Sequence, residues 1–157
     1  MHHPLRQVVY ISRASGRIAA RDLVRIQSDS LPRNLRLRVS GFLIYSGGYF
    51  LQMLEGPNAA ILETLERIAA DDRHTDITRV YDRPGDRRLA RGWSMAVFNL
   101  DQYGDPSHLD GDPRLGLVEA TLNMTQIQHR AHNRLRLDLA ALRDTIRGDL
   151  PTLEDAA

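Results

Sequence analysis

Cysteine is absent from the 157 residues, which excludes disulfide scaffolds, thiolate metal sites and cysteine nucleophiles. Lysine is absent too, since all 21 basic residues are arginine. We read that as a composition bias and not as a device for phosphate. Neither sign of charge dominates. The 21 basic groups meet 20 acidic ones and leave +1, so nothing advertises nucleic acid or an anionic membrane as a partner. No apolar run approaches the roughly 20 residues of a membrane span. The start, Met1-His2-His3-Pro4, lacks a signal-peptide pattern, and a cytoplasmic location is the expectation. Also missing are a Gly-rich phosphate loop after a strand, a nucleophile elbow and a His-Glu-x-x-His helix. With 42% hydrophobic and 26% charged residues, the chain has the composition of a folded domain, long enough to bury roughly two-thirds of its unfolded surface.

Gln7 to Ser12 is a β-branched run bounded by Ser15-Gly16 and predicts a strand with Val8, Tyr10 and Ser12 on one face. Ala20, Leu23, Val24 and Gln27 lie at helical spacing, and Pro32 predicts that this helix ends near Gln27. Two apolar runs, Leu37 to Tyr45 and Tyr49 to Leu54, flank Ser46-Gly47-Gly48, the signature of a hairpin. Asn58 is read as the N-cap of a helix running to about Ala70, striped by Ile61, Leu65 and Ile68. Ile77 to Tyr81 predicts a short strand and Arg83-Pro84-Gly85-Asp86 a turn. Trp93 to Phe98 predicts another strand, with Trp93, Met95 and Val97 on one face. The order βαββαβ plus one strand predicts an α+β, ferredoxin-like sandwich. Residues 1–100 then form one domain. Residues 101–157 form a linker, Tyr103 to Gly111, and two C-terminal helices, Asp112 to Met124 and Gln126 to Arg147. The second helix carries Leu135, Leu139, Leu142 and Ile146 at heptad-like spacing, and this tail can cover the sheet face that two helices leave open.

The scattered histidines give no metal signature: His129 and His132 could share a helix face, but two ligands without a third rarely hold a metal. Asp71-Asp72 and the arginines Arg130, Arg134 and Arg136 read as solvated charge. More informative are polar residues on strands that otherwise look buried: Tyr10, Ser12 and Gln52, with Trp93 and Met95 on the last strand and Asn34 just ahead of the second. Gln52 sits between Phe50 and Leu54 on one face, a buried amide in need of partners. On pattern alone a self-satisfied internal network is the simpler account, and a ligand site the alternative.

Taken together, Tyr10-x-Ser12, Asn34 six residues before Ser40-Gly41, Phe50-Leu51-Gln52-Met53-Leu54-Glu55-Gly56, Asp71-Asp72-Arg73-His74 and Trp93-Ser94-Met95 resemble the signature of BLUF domains, bacterial blue-light sensors that bind FAD. The resemblance runs from about Leu5 to Phe98. Ser40 stands where the family commonly has Thr, and Ala90 where an aromatic is common before the strand Trp. Carried over, the family implies a flavin held edge-on between the two helices, with Ile26 and Ile68 on either side of the ring. Asn34 would bond its carbonyl–imide edge, with Ser30 nearby and Arg33 beside the ring. Gln52 would lie between that edge and Tyr10, while Asp71, Arg73 and His74 would reach the ribityl and phosphate end.

The resemblance further implies a photoreceptor and not an enzyme. Tyr10 would be electron and proton donor, and Gln52 the amide whose rotation or tautomerisation rearranges hydrogen bonds and shifts absorption to the red. Ser12, Trp93 and Met95 would complete the photoactive set. Without cysteine, no thiol adduct can form. The residues after Phe98 have room for two helices and little else, so output is expected through a homo-oligomer or a separate downstream protein effector, with no nucleic acid and no membrane. Two other readings stay open: a light-insensitive ferredoxin-like binding or regulatory module, and an acylphosphatase-like enzyme. For the latter, Arg13-Ala14-Ser15-Gly16-Arg17 is the nearest stretch to the required loop.

Overall fold

The structure is a computed structural model that describes residues 4–99 and Asp101. Its elements are β1 (Leu5–Ala14), α1 (Ala20–Leu37), β2 (Ser40–Ser46), β3 (Tyr49–Pro57), α2 (Asn58–Ala69), β4 (His74–Gly85) and β5 (Ala96–Asn99). The βαββαββ order follows the expectation. The sheet runs β4-β1-β3-β2-β5, antiparallel except where β5 lies parallel to β2. This is an α+β architecture, a five-stranded mixed sheet with two helices. The two C-terminal helices and the linker before them lie outside the described residues.

Alternation along the central strands sorts the core into two layers. Val8, Tyr10, Leu43, Phe50 and Leu54 pack with Leu23, Ile61 and Leu65 of the helices. Val9, Ile11, Phe42, Ile44, Leu51 and Met53 pack on the opposite face with Leu89 and Ala90. The β2–β3 hairpin turns at Gly47 and Gly48, whose φ values of 57° and 84° are cheap for glycine. At Gly41 a side chain would collide with the Met53 carbonyl, so the close approach of β2 to β3 also requires glycine.

Several boundaries differ from the sequence reading. Helix α1 continues through Pro32 to Leu37, because its last turns are held by tertiary contacts. Asn34, placed by the sequence in a loop ahead of β2, is buried in the helix and donates from Nδ2 to Ser94 O at 2.8 Å. Of the residues at helical spacing, Val24 is 62% exposed; the inward face runs through Leu23 and Asn34. Strand β2 starts at Ser40, not Leu37, after Arg38 takes a left-handed φ of 56°. Strand β3 reaches Pro57, which precedes the helix, so Asn58 is the first residue of α2 and not its cap. Its side chain instead accepts from Arg6 Nη1 at 3.2 Å.

Strand β4 absorbs both the expected short strand and the Arg83-Pro84-Gly85 turn, pairing with β1 as far as Leu5↔Gly85. Proline is tolerated there because β4 is an edge strand and loses no ladder bond on its open side. The last strand is shorter than expected, beginning at Ala96. A bend at Ser94 breaks the alternation, so Trp93 and Met95 face opposite layers, with Trp93 against Phe42 and Phe98 and Met95 on the helix side.

Candidate functional site

Between α1, α2 and the sheet lies a cavity of about 500 Å³, within the usual range for a small-molecule site. Its two side walls are helical: Ile26, Ser30, Arg33 and Asn34 from α1, and Thr64, Arg67 and Ile68 from α2. The floor is Tyr10, Leu43, Phe50 and Gln52, with Met95 at one edge and Asp71, Arg73 and His74 at the other.

The floor holds its most unusual group. Tyr10 and Gln52 are paired across β1 and β3, both side chains point to the helix layer, and both are buried. The Tyr10 hydroxyl donates to Gln52 Oε1. That fixes the amide's sense: its Nε2 lies away from the phenol, 3.8 Å from Met95 Sδ, a weak acceptor. Burial pushes the Tyr10 phenol well above the usual tyrosine range, and the charge of Asp71 adds to the effect, so Tyr10 is a protonated donor throughout the physiological range.

At the other end, Arg73 and Asp71 form a fork, with Nε to Oδ1 at 2.8 Å and Nη2 to Oδ2 at 2.5 Å. The hydrogen bond to Arg73 holds the Asp71 carboxyl below the usual range, and that to Asp71 raises Arg73. Asp71 is therefore not simply the solvated charge that its place at a helix end suggests. His74 Nδ1 lies 2.8 Å from Ser12 Oγ, and Nε2 lies 2.8 Å from Ile68 O. A carbonyl only accepts, so in the neutral ring Nε2 carries the proton and Nδ1 accepts from Ser12.

Of the residues singled out in the sequence, the structure brings Tyr10, Ile26, Ser30, Arg33, Asn34, Gln52, Ile68, Asp71, Arg73, His74 and Met95 to one cavity. Ser12 does not line it and reaches it only through His74. Trp93 lies on the opposite face of the sheet, which corrects its expected place on Met95's side. Three charged residues were missed, one of them Asp29, which lines the cavity from α1. Arg67 Nη1 is buried without a partner and lines the cavity; a lone arginine on a helix carries no sequence signal that separates it from surface charge. Glu55 is fully buried, although the sequence singled it out only as part of the Phe50–Gly56 motif and gave it no role.

The cavity fits a flat, partly apolar, partly anionic molecule. Isoleucines face it from both helices, amides offer donors at the inner end, and an unpartnered guanidinium nitrogen awaits an acceptor. FAD has this composition, with a ring to lie between Ile26 and Ile68 and hydroxyls and phosphates suited to Arg67 and Arg73. Among the described residues no cluster of metal-binding side chains occurs, and no helix is long and apolar enough to cross a membrane.

Comparison with known proteins agrees. The subunit alpha of photoactivated adenylate cyclase from Euglena gracilis is 37% identical over 82 residues, 52% of this chain and 8% of that protein. The subunit beta from Euglena longa is 37% identical over 92 residues, 58% of this chain and 11% of that protein. The chain thus spans about a tenth of the length of these curated relatives. Among solved structures, the dark state of BlrB, a BLUF protein, is 29% identical with a TM-score of 0.63, covering 96% of this chain and all of the other. A bacterial light-regulated adenylyl cyclase is 28% identical with a TM-score of 0.60, covering 83% of this chain and 36% of the other. The family profile described as BLUF, sensors of blue-light using FAD, matches residues 5–96. A family match over most of the chain, and a cavity whose floor is a phenol bonded to a buried amide, make this a member of the BLUF family of flavin-binding blue-light photoreceptors.

Proposed function

We propose that this chain senses blue light by storing an illumination event in the hydrogen bonding of Gln52. FAD, when bound, supplies a light-excited oxidant. The observation that carries the reading is the hydrogen bond from buried Tyr10 to Gln52 Oε1 at the inner end of the cavity. Tyr10 is the oxidisable residue at that end, and its proton already points at the amide. Loss of an electron makes the phenol a strong acid, so the proton leaves along this bond. Gln52 carries two donors and an acceptor on one short arm; turned half-way round, or tautomerised, it presents a donor where it now accepts. Electron and proton return to Tyr10 while the new pairing persists. Asn34 would bond the ring's polar edge, Ile26 and Ile68 would flank the ring, and Ser30 and Arg33 would stand at its rim. Asp71, Arg73 and His74 would hold the ribityl and phosphate end, joined by Arg67, with Ser12 orienting His74.

Met95, in van der Waals reach of the amide, carries the change toward β5 and onward. We read residues 1–100 as the sensor and 101–157 as linker and helical extension. The output is a change of oligomeric state or of binding to a separate protein, not catalysis by this chain. The test is a light-minus-dark absorption spectrum of the purified protein. A yellow protein whose bands move to the red and recover in darkness is expected. Tyr10→Phe and Gln52→Leu should each keep bound flavin and lose the reversible shift. A colourless protein, or an intact shift in Tyr10→Phe, would sink the assignment.

A further inference from the structure

On the sheet face away from the cavity, Glu55 is completely buried at the end of β3. A carboxylate is tolerated there only if its lone pairs are filled, and they are. Oε1 accepts from Ala90 N at 2.7 Å and Ser40 Oγ at 3.0 Å. Oε2 accepts from Leu89 N at 2.8 Å and Gln7 Nε2 at 3.1 Å. Gln7 Nε2 also donates to Arg87 O at 2.9 Å. Arg88 Nη1 donates to Ser40 Oγ at 2.6 Å, so a guanidinium reaches the carboxylate through one hydroxyl. Both carboxylate oxygens thus grip consecutive backbone N–H groups of the segment that leads into β5.

That segment continues to the photoactive amide. Trp93 N donates to Ala90 O at 3.1 Å, and Gly41 N donates to Trp93 O at 2.8 Å. The bend at Ser94 then carries the chain to Met95, beside Gln52. Glu55 touches neither Tyr10 nor the cavity, so any influence must travel through these ties.

We propose that Glu55 is a positioning residue for the light switch: by clamping Leu89 and Ala90 it sets the register in which Met95, and not Trp93, meets Gln52. This rests on the reading of Gln52 as the switch. The chemistry requires a carboxylate. An amide at position 55 has one accepting oxygen, so its NH₂ would face one of the two main-chain donors and release half of the clamp at nearly constant volume.

The test compares the full flavin-loaded chain with Glu55→Gln, Ser40→Ala and Ser40→Thr. Trp93 is the single tryptophan, so its emission reports the segment directly and needs no light reaction. In Glu55→Gln, Trp93 emission should shift and dark recovery after blue light should change about threefold or more. Ser40→Ala should move both in the same direction by less, and Ser40→Thr should restore parental behaviour. A folded Glu55→Gln with parental emission and recovery overturns the proposal, as does a lowered melting temperature with unchanged recovery. If Glu55→Gln does not fold, Ser40→Ala decides by the same two readouts. A parent without any reversible shift would remove the switch reading itself, while Trp93 emission would still report on the clamp.

Discussion

In the proposed switch one phenol and one amide carry the function, and their environment decides how they behave. Tyr10 is shielded from water and faces the negative charge of Asp71, and both conditions disfavour phenolate. An ordinary tyrosine ionises near pH 10. Because the folded value lies above the unfolded one, the stability that Tyr10 contributes is fully present below about pH 10 and is lost as pH rises beyond it. The red shift should therefore keep its amplitude from pH 7 to beyond about pH 10, followed by difference spectra in buffers of increasing pH; a midpoint near pH 10 would place Tyr10 in water. Gln52 was legible in the sequence because an amide between Phe50 and Leu54 contradicts the apolar alternation around it. Arg67 and Glu55 were not, since charged residues at helix surfaces and strand ends usually face solvent, and only the packed fold shows that these two do not.

The elements were legible where pattern and packing agree. The β2–β3 hairpin and the apolar stripe of α2 stand nearly where alternation, glycine and helical spacing put them. Helix α1 departs because local propensity was outvoted. Pro32 lacks the N–H that would bond to Ser28 O and strains the preceding turn, yet the anchored Asn34 keeps the last turns helical. Pro32→Ala should then raise stability by about 1–3 kcal/mol, read from urea denaturation; an unchanged or lower midpoint would mean that proline fits this helix without strain. The lead-in to β5 was misread for a related reason. Strict alternation assigns Trp93 and Met95 to one face, but the bend at Ser94 turns one of them over, and no propensity in Trp-Ser-Met announces a bend.

At the scale of the described domain, the sheet separates two sets of residues by face: the cavity with Tyr10 and Gln52 on one side, Glu55 and Trp93 on the other. Met95 and Trp93, two residues apart, pack on opposite faces of the sheet, and on the proposed reading they give a local rearrangement a route through it. A two-state change at Met95 worth about 1–3 kcal/mol is enough to shift an association equilibrium. Light-scattering mass or size-exclusion volume should therefore differ between lit and dark protein, alone or with a partner protein; identical profiles under all these conditions would remove the output model.

Helix α1 does more than wall the cavity: Asn34 Nδ2 holds Ser94 O at 2.8 Å, and Gln27 Nε2 holds Met95 O at 3.1 Å. On the proposed reading, the same helix thus grips the pigment and the peptide that reports on it. Grip and report cannot be tuned separately. A substitution on this inner surface chosen to retain dye more tightly will also stiffen or loosen the relay. Engineering a brighter, longer-lived sensor from this scaffold is therefore better begun on α2, whose side chains are not among those latched to the reporting peptide.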